Sequence, residues 1–391
     1  MDYRFILCLA IILISTKLFG LFSRRINMPA VVGALIAGVI LGPSFLNWIP
    51  TQGETGTFVE YTAEIGVILL MFSAGLETNL SDMKKNMKAS AITAIIGVAV
   101  PLLGGFVTYA LYFHTDMADY TELLKAVFIG VVLTATSVSI TVETLRELGK
   151  LKGKVGTTIL GAAVIDDILG IIVLTIVTSL KDSSVSPITV IIKIIAYFIV
   201  LVVIAFGCHV FKRLIEGHDR QRRTAILSIA FCFLLAYMSE EFFGIADITG
   251  AYFAGLMLCS MNVGHYIERR VEIASYLVFS PVFFASVGLK VSIDSITPSL
   301  LIFAVLLCLV AMLTKVVGCG LGAKVCSCNW KESLQIGVGM ISRGEVALIV
   351  AQKGYAAGML DDTLFAPIVI MVIVTTLITP ILLKLVMSDK A

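Results

Sequence analysis

Apolar residues fall along this chain in thirteen runs, most of them near the roughly 20 residues a helix needs to cross a hydrocarbon core. The runs cover about 5–22, 29–46, 60–76, 89–112, 123–145, 155–179, 187–211, 223–239, 247–262, 270–289, 298–322, 333–354 and 363–386. The loops between them alternate in charge. Arg24 and Arg25, then Lys84, Lys85 and Lys88, then Arg146, Lys150, Lys152 and Lys154 occupy every second loop. The series continues with Lys212, Arg213, Arg220, Arg222 and Arg223, with Arg269 and Arg270, with Lys324 and Lys331, and with Lys384 and Lys390 in the tail. The intervening loops, around 51–57, 114–121 and 239–247, are acidic or neutral. Basic loops stay on the cytoplasmic side of a cell membrane, which predicts an external N-terminus and a cytoplasmic C-terminus. That arrangement requires an odd number of crossings. The pattern predicts an all-α polytopic membrane protein with 13 transmembrane helices, lodged in the inner or plasma membrane.

Composition agrees. Of 391 residues, 58% are apolar and only 14% charged, and the mean hydropathy is +1.00. A net charge of +2 gives no reason to expect a nucleic-acid partner. The lipid bilayer is the expected surrounding. Most of the eight cysteines sit in apolar runs and read as small core residues, and Cys326 and Cys328 form an isolated C-x-C without a second ligand pair. The first run has Asp2 and Arg4 before it, Arg24 and Arg25 after it and no small-x-small cleavage site, so it is expected to be retained as a helix. No soluble domain is expected beyond the last run.

A repeat runs through the chain. The second run reads Gly33-Ala34-x-x-Ala37-Gly38-x-x-Leu41, and the ninth reads Gly250-Ala251-x-x-Ala254-Gly255-x-x-Leu258. The third ends Phe72-Ser73-Ala74-Gly75-Leu76, and the tenth ends Phe284-Ala285-Ser286-Val287-Gly288-Leu289. Both matches span seven crossings. Seven is odd, so matched helices run in opposite directions, which predicts an inverted repeat of the kind found in secondary transporters. The same offset pairs the fifth run with the twelfth. The fifth carries Thr134-Ala135-Thr136-Ser137-Val138-Ser139-Ile140-Thr141, a hydroxyl cluster that can support an interrupted helix. The twelfth carries Gly337-x-Gly339 and Ser342-Arg343-Gly344-Glu345. Interrupted helices at corresponding places in two halves point to a binding site at the repeat interface.

Charges inside the runs mark the chemistry. Asp166 and Asp167 lie near the middle of an apolar stretch from Gly156 to Ser179. A charge at that depth costs at least ~2.5–3.5 kcal/mol, and such residues are read by default as part of an ion or substrate pathway. Adjacent residues project about 100° apart around a helix, so the two carboxylates face different neighbours. Lys315 is too deep in the eleventh run to snorkel and needs a partner, for which the central carboxylates are the obvious candidates. Lys17 and Lys193 lie nearer helix ends, where snorkelling suffices. Arg343 and Glu345 stand two apart and would not face each other on a regular helix; Glu64 and Glu77 are candidate partners for Arg343.

Thr134 to Ser137, Ile165-Asp166-Asp167, Lys315 and Arg343-Gly344-Glu345 together resemble the cation/proton antiporter superfamily, and most closely the bacterial Na⁺/H⁺ antiporters of the NapA type. The likeness covers essentially the whole chain. Electroneutral relatives carry Asn-Asp and glutathione-gated potassium efflux relatives carry Gln-Asp at the paired position; this chain has Asp-Asp. The resemblance implies electrogenic exchange and a homodimer. It also implies two discontinuous crossing helices, a core bundle at about 60–179 and 270–386, and a scaffold for dimerisation at about 1–50 and 187–262. Carried over by position, Asp167 is the ion-binding and proton-carrying carboxylate, Asp166 is the partner of Lys315, and Thr134, Thr136, Ser137, Arg343 and Glu345 line the broken helices. The expected cargo is Na⁺ or Li⁺ against H⁺, with no bound cofactor and no enzymatic activity. Hard cations want oxygen ligands, which Asp167, the hydroxyls of Thr134 and Ser137 and carbonyls freed by a broken helix would offer.

Other readings are a K⁺/H⁺ antiporter and a Na⁺-coupled symporter on the same plan. An intramembrane aspartyl protease is disfavoured, because it needs two carboxylates on facing helices and a G-x-G-D context that this chain lacks. The loop charges make a direct prediction. Cysteines replacing Thr55 and Lys150 should react with an impermeant thiol reagent from opposite faces of the membrane. Labelling of both from one face contradicts thirteen crossings.

Overall fold

A computed structural model describes residues 3–26, 28–181, 187–210, 222–259, 261, 264–290, 297–356, 358–360 and 362–388. The basic loop with Lys212, Arg213 and Arg220, and Lys390 in the tail, lie outside the described residues. All regular structure among the described residues is helical. The helices are α1 (Arg4–Arg25), α2 (Ala30–Leu41), α3 (Gly53–Glu77), α4 (Leu80–Tyr112), α5 (Tyr120–Thr134), α6 (Val138–Glu147), α7 (Lys154–Lys181) and α8 (Pro187–Val210). They continue as α9 (Arg222–Met238), α10 (Asp247–Leu258), α11 (Gly264–Ala274), α12 (Ser280–Leu289), α13 (Pro298–Val325), α14 (Trp330–Gly339), α15 (Glu345–Ala356) and α16 (Asp362–Met387). A π turn at Ser239–Phe243 extends α9, and another at Ser275–Phe279 joins α11 to α12.

Ten helical stretches among the described residues are long and apolar enough to cross a membrane, counting Tyr120–Glu147 through its break and Gly264–Leu289 through its π turn. Ala30–Leu41 is a shorter apolar helix. Helix starts follow local chemistry. The Asn79 carboxamide accepts from Ser81 N at 2.9 Å at the head of α4, and Asp119 accepts from Thr121 N at 2.9 Å at the head of α5. Asn329 and Glu332 close a capping box on α14. The outer faces of α1 and α8 present Ile14, Leu18, Ile192, Ile195, Ile199 and Phe206, all largely exposed, as a protein bathed in lipid must.

Glycines decide which helices touch. A Cβ on Gly38 of α2 would overlap the Ala285 carbonyl of α12, and one on Gly288 would overlap Leu35 and Val39 of α2. The backbones of α2 and α12 can therefore lie against each other only because both positions lack a side chain. The same holds for α3 and α10, where Gly75 meets Tyr252 and Gly255 meets Phe72 and Leu76. Gly33 packs onto Phe19 and Gly20 of α1, and Gly250 packs onto Leu235 of α9.

These contacts gather α1, α2, α3, α9, α10, α11 and α12 into one bundle. In the other, α4 lies along α13, α7 and α5, with α14 and α16 packed on α13. Polar contacts link the bundles where α6 ends. Arg146 pairs with Glu77 of α3 at 2.9 Å and with Glu143 at 3.0 Å, Lys152 meets Glu268 of α11 at 3.7 Å, and Glu147 accepts from Ala30 N at 2.7 Å.

Candidate functional site

Two helix breaks form the site's floor. α5 stops at Thr134, whose hydroxyl donates back to Val131 O at 2.7 Å. Ala135 and Ser137 are extended, at φ −56°, ψ 139° and φ −93°, ψ 112°, before α6 resumes. The second break runs from Met340 to Gly344 between α14 and α15. The breaks touch each other: Ser137 N donates to Ser342 O at 2.8 Å. A side chain on Gly344 would overlap Ser137, so glycine is what lets the chains pass this closely. Thr141 Oγ1 donates to Gly339 O at 2.8 Å, and Thr376 Oγ1 donates to Arg343 O. Carbonyls and amides released by the lost helical turns are thus partly satisfied across the crossing, as buried backbone requires.

Arg343 is fully buried. Its Nη1 donates to Ala135 O and to Thr136 Oγ1 at 3.4 Å, and its Nη2 donates to Ala311 O at 3.4 Å. The cation therefore sits at the carbonyl end of α5, where the helix dipole is negative. This replaces the expected pairing with Glu64 or Glu77. Glu77 is held by Arg146, and Glu64 shares a hydrogen bond with Asp247. The physical reason is local: a broken helix frees carbonyl oxygens at the negative end of its dipole, and that of Ala135 accepts from the guanidinium. Glu345 opens α15, and its side chain lies outside the described residues.

The carboxylates sit on α7. Asp166 is 2% exposed and accepts from Lys315 Nζ at 2.9 Å; Lys315 is 0% exposed. The pair joins α7 to α13. α4 completes the enclosure, since a Cβ on Gly97 would crowd Cys319 and approach Lys315. Hydrogen bonds from Asn86 Nδ2 to Thr157 Oγ1 at 3.0 Å and from Ser90 Oγ to Thr158 O at 3.1 Å tie α4 to the start of α7. Asp166 also lies within electrostatic range of Arg343. Asp167 is 8% exposed and occupies the next position, about 100° further round the helix. Gly339, at the second break, packs on Ile159 of the same helix.

Asp166, Asp167, Lys315, Thr134, Thr136, Ser137, Arg343 and Glu345 are the site residues expected from the sequence. The structure joins Asp166 to Lys315, Thr136 to Arg343 and Ser137 to the second break. Thr134 ends α5 and donates its proton backward, which leaves the hydroxyl oxygen able to accept. Thr141 and Ser342, present in the two broken runs but given no role by the sequence, hold the crossing with Thr376, which the sequence reading missed. A third hydroxyl-rich run, Thr375-Thr376-x-x-Thr379, was the available signal.

Broken helices that meet within a membrane bundle are the plan of a secondary transporter. The chain belongs to the sodium/hydrogen exchanger family: residues 10–388 match the family model described as "Sodium/hydrogen exchanger, transmembrane". It is similar to the Na(+)/H(+)-K(+) antiporter GerN of Bacillus cereus, at 41% identity over 100% of this chain and 98% of the relative. It is also similar to the Na(+)/H(+) antiporter of Enterococcus hirae, at 38% identity over 98% of each chain. Among solved structures, the sodium proton antiporter MjNhaP1 from Methanocaldococcus jannaschii has the same fold, with a TM-score of 0.76 at 19% identity over 98% of this chain and 96% of that one. The family expected from the motifs is therefore the right one.

The ion pair makes a measurable prediction. Removing one partner strands a buried charge and should destabilise the protein by about 3–5 kcal/mol. Thermal unfolding of purified Asp166→Asn, Lys315→Gln and the double variant should show a double loss smaller than the sum of the singles. Strictly additive losses contradict a direct pair.

Proposed function

We propose that this protein exchanges Na⁺ or Li⁺ for H⁺ across the cell membrane, with Asp167 as the carboxylate that takes one ion or the other. The observation that carries the reading is the 2.9 Å bond between Lys315 and Asp166. It neutralises the lysine with one carboxylate, which supports Asp167, about 100° further round the helix, as the one that takes the travelling ion. The oxygen-rich crossing supports the choice of a hard cation. Thr134 and Ser137 are the hydroxyl ligands of the reading. Arg343 and Thr136 hold the broken ends in place. Asp-Asp in place of Asn-Asp supports electrogenic exchange.

A K⁺/H⁺ or mixed activity is the second reading. It is favoured by the likeness to GerN, which is named for both Na⁺ and K⁺.

The architecture in this reading has thirteen crossings, with the short helices α2 and α10 and the broken pair α14–α15 each completing one. The N-terminus is external and the C-terminus cytoplasmic. The glycine contacts support an inverted repeat. Gly33, Gly38 and Gly75 correspond by motif to Gly250, Gly255 and Gly288, and each packs on the repeat mate of the helix its counterpart meets. The moving core is drawn at α4–α7 and α13–α16. α3 and α11–α12, placed with the core by the sequence boundaries, join the scaffold because they pack on α10 and α2. A homodimer built on the scaffold would brace this motion, and access to the site alternates as core moves against scaffold.

Competition at one carboxylate has a definite pH signature. Where protonation dominates, apparent Na⁺ affinity should weaken about tenfold per pH unit, and at high pH it should level off. Exchange in proteoliposomes between about pH 5.5 and about pH 9, compared for Na⁺, Li⁺ and K⁺, measures this. Asp167→Asn should abolish exchange in a folded protein. A flat affinity over the range, or an Asn variant that still exchanges, overturns the assignment.

A further inference from the structure

Two cavities adjoin at the foot of α1, away from the carboxylates. The deeper, of about 260 Å³, is lined by residues that include Leu13, Lys17, Leu21, Val31, Tyr276 and Phe284. The outer, of about 360 Å³, is lined by Arg24, Met28, Pro29, Glu147, Leu148 and Lys384. Arg24 and Glu147 line both. The deeper cavity is mainly apolar but also carries Lys17 and Glu143, whose carboxylate is paired with Arg146, and the outer one is ringed by Arg24, Glu147 and Lys384.

Lys17 and Arg24 are seven residues apart on α1, which stacks them on one helix face about 10 Å apart along the axis. Lys17 Nζ lies 5.6 Å from the Tyr276 ring centroid. Neither cation belongs to an ion pair among the described residues. The opposite wall, from α6, carries Glu147, one of whose oxygens accepts from Ala30 N at 2.7 Å. Leu277, 61% exposed, and Leu21, 49% exposed, form the lip of the deeper cavity on the side of the lipid-facing residues Ile14 and Leu18.

We infer that this double cavity binds one membrane phospholipid, and that its chemistry fits an aminophospholipid such as phosphatidylethanolamine. Lys17 and Arg24 hold the phosphate. The ammonium group donates to Glu147, which a choline headgroup cannot do because it has no N–H. The acyl chains leave past Leu21 and Leu277 along the exposed face of α1. The assignment of the inner leaflet rests on the proposed topology; the binding itself does not rest on exchange. Because the cavity's walls include α6 of the core and α1, α2 and α12 of the scaffold, a seated lipid touches both bundles.

The test reads binding rather than transport. Purified protein in detergent is supplied with phosphatidylethanolamine, phosphatidylcholine or phosphatidylglycerol at equal mole fraction, and the thermal unfolding midpoint is followed. A ligand that binds the native state raises that midpoint. Phosphatidylethanolamine should raise it most. The combined Lys17→Ala and Arg24→Ala variant should lose most of the shift, while Lys17→Arg with Arg24→Lys should keep it. Glu147→Gln should erase the preference for phosphatidylethanolamine over phosphatidylcholine within the same variant. Equal shifts from these two lipids in the unaltered protein overturn the proposal. So does a shift that survives loss of both cations, or phosphatidylglycerol matching phosphatidylethanolamine.

Discussion

A lysine ammonium buried among α4, α7 and α13 sets the terms for the rest of this structure. Lys315 is tolerable only because Asp166 lies 2.9 Å away, and that contact fixes α13 against α7. The arrangement also spends Asp166 on structure. In the proposed exchange, Asp167 is the carboxylate that takes the travelling ion, since it shares a helix with Asp166 but not its direction. In that proposal, two adjacent carboxylates take two tasks because they project about 100° apart around the helix.

The second constraint is backbone satisfaction. Breaking two helices inside a membrane releases amides and carbonyls with no water to receive them. Ser137 and Ser342 bond across the gap, Thr141 and Thr376 serve carbonyls of the second break, and Arg343 collects carbonyls at the end of α5. Buried cations with these two solutions, a carboxylate for Lys315 and carbonyl oxygens for Arg343, stand in the same bundle. The difference follows from what each helix leaves unpaired nearby.

Much of this was legible in the residues. Apolar runs and alternating loop charge outlined the helices, and Asp166-Asp167 announced itself as charge at depth. Lys315 demanded a carboxylate. The glycine motifs of the second, third, ninth and tenth runs turned out to lie at the closest helix contacts. What the chain did not disclose was partnership across space. Arg343 looked in want of Glu64 or Glu77, since carbonyls freed by a break carry no mark in sequence. Arg146 appeared as one more loop cation, yet it joins α6 to Glu77 of α3. The division into core and scaffold carries no mark in sequence, because α3 and α12 look as apolar as any other helix. Only their glycine contacts with α10 and α2 show where they pack.

In the proposed exchange, one carboxylate holds either a proton or a cation. Calorimetric titration of the purified protein with Na⁺, in buffers of different ionisation enthalpy, counts the protons expelled as the cation binds. At a pH where the site is protonated, close to one proton should be released per Na⁺ bound, with the release lost in Asp167→Asn. Saturable Na⁺ binding without proton release would contradict it.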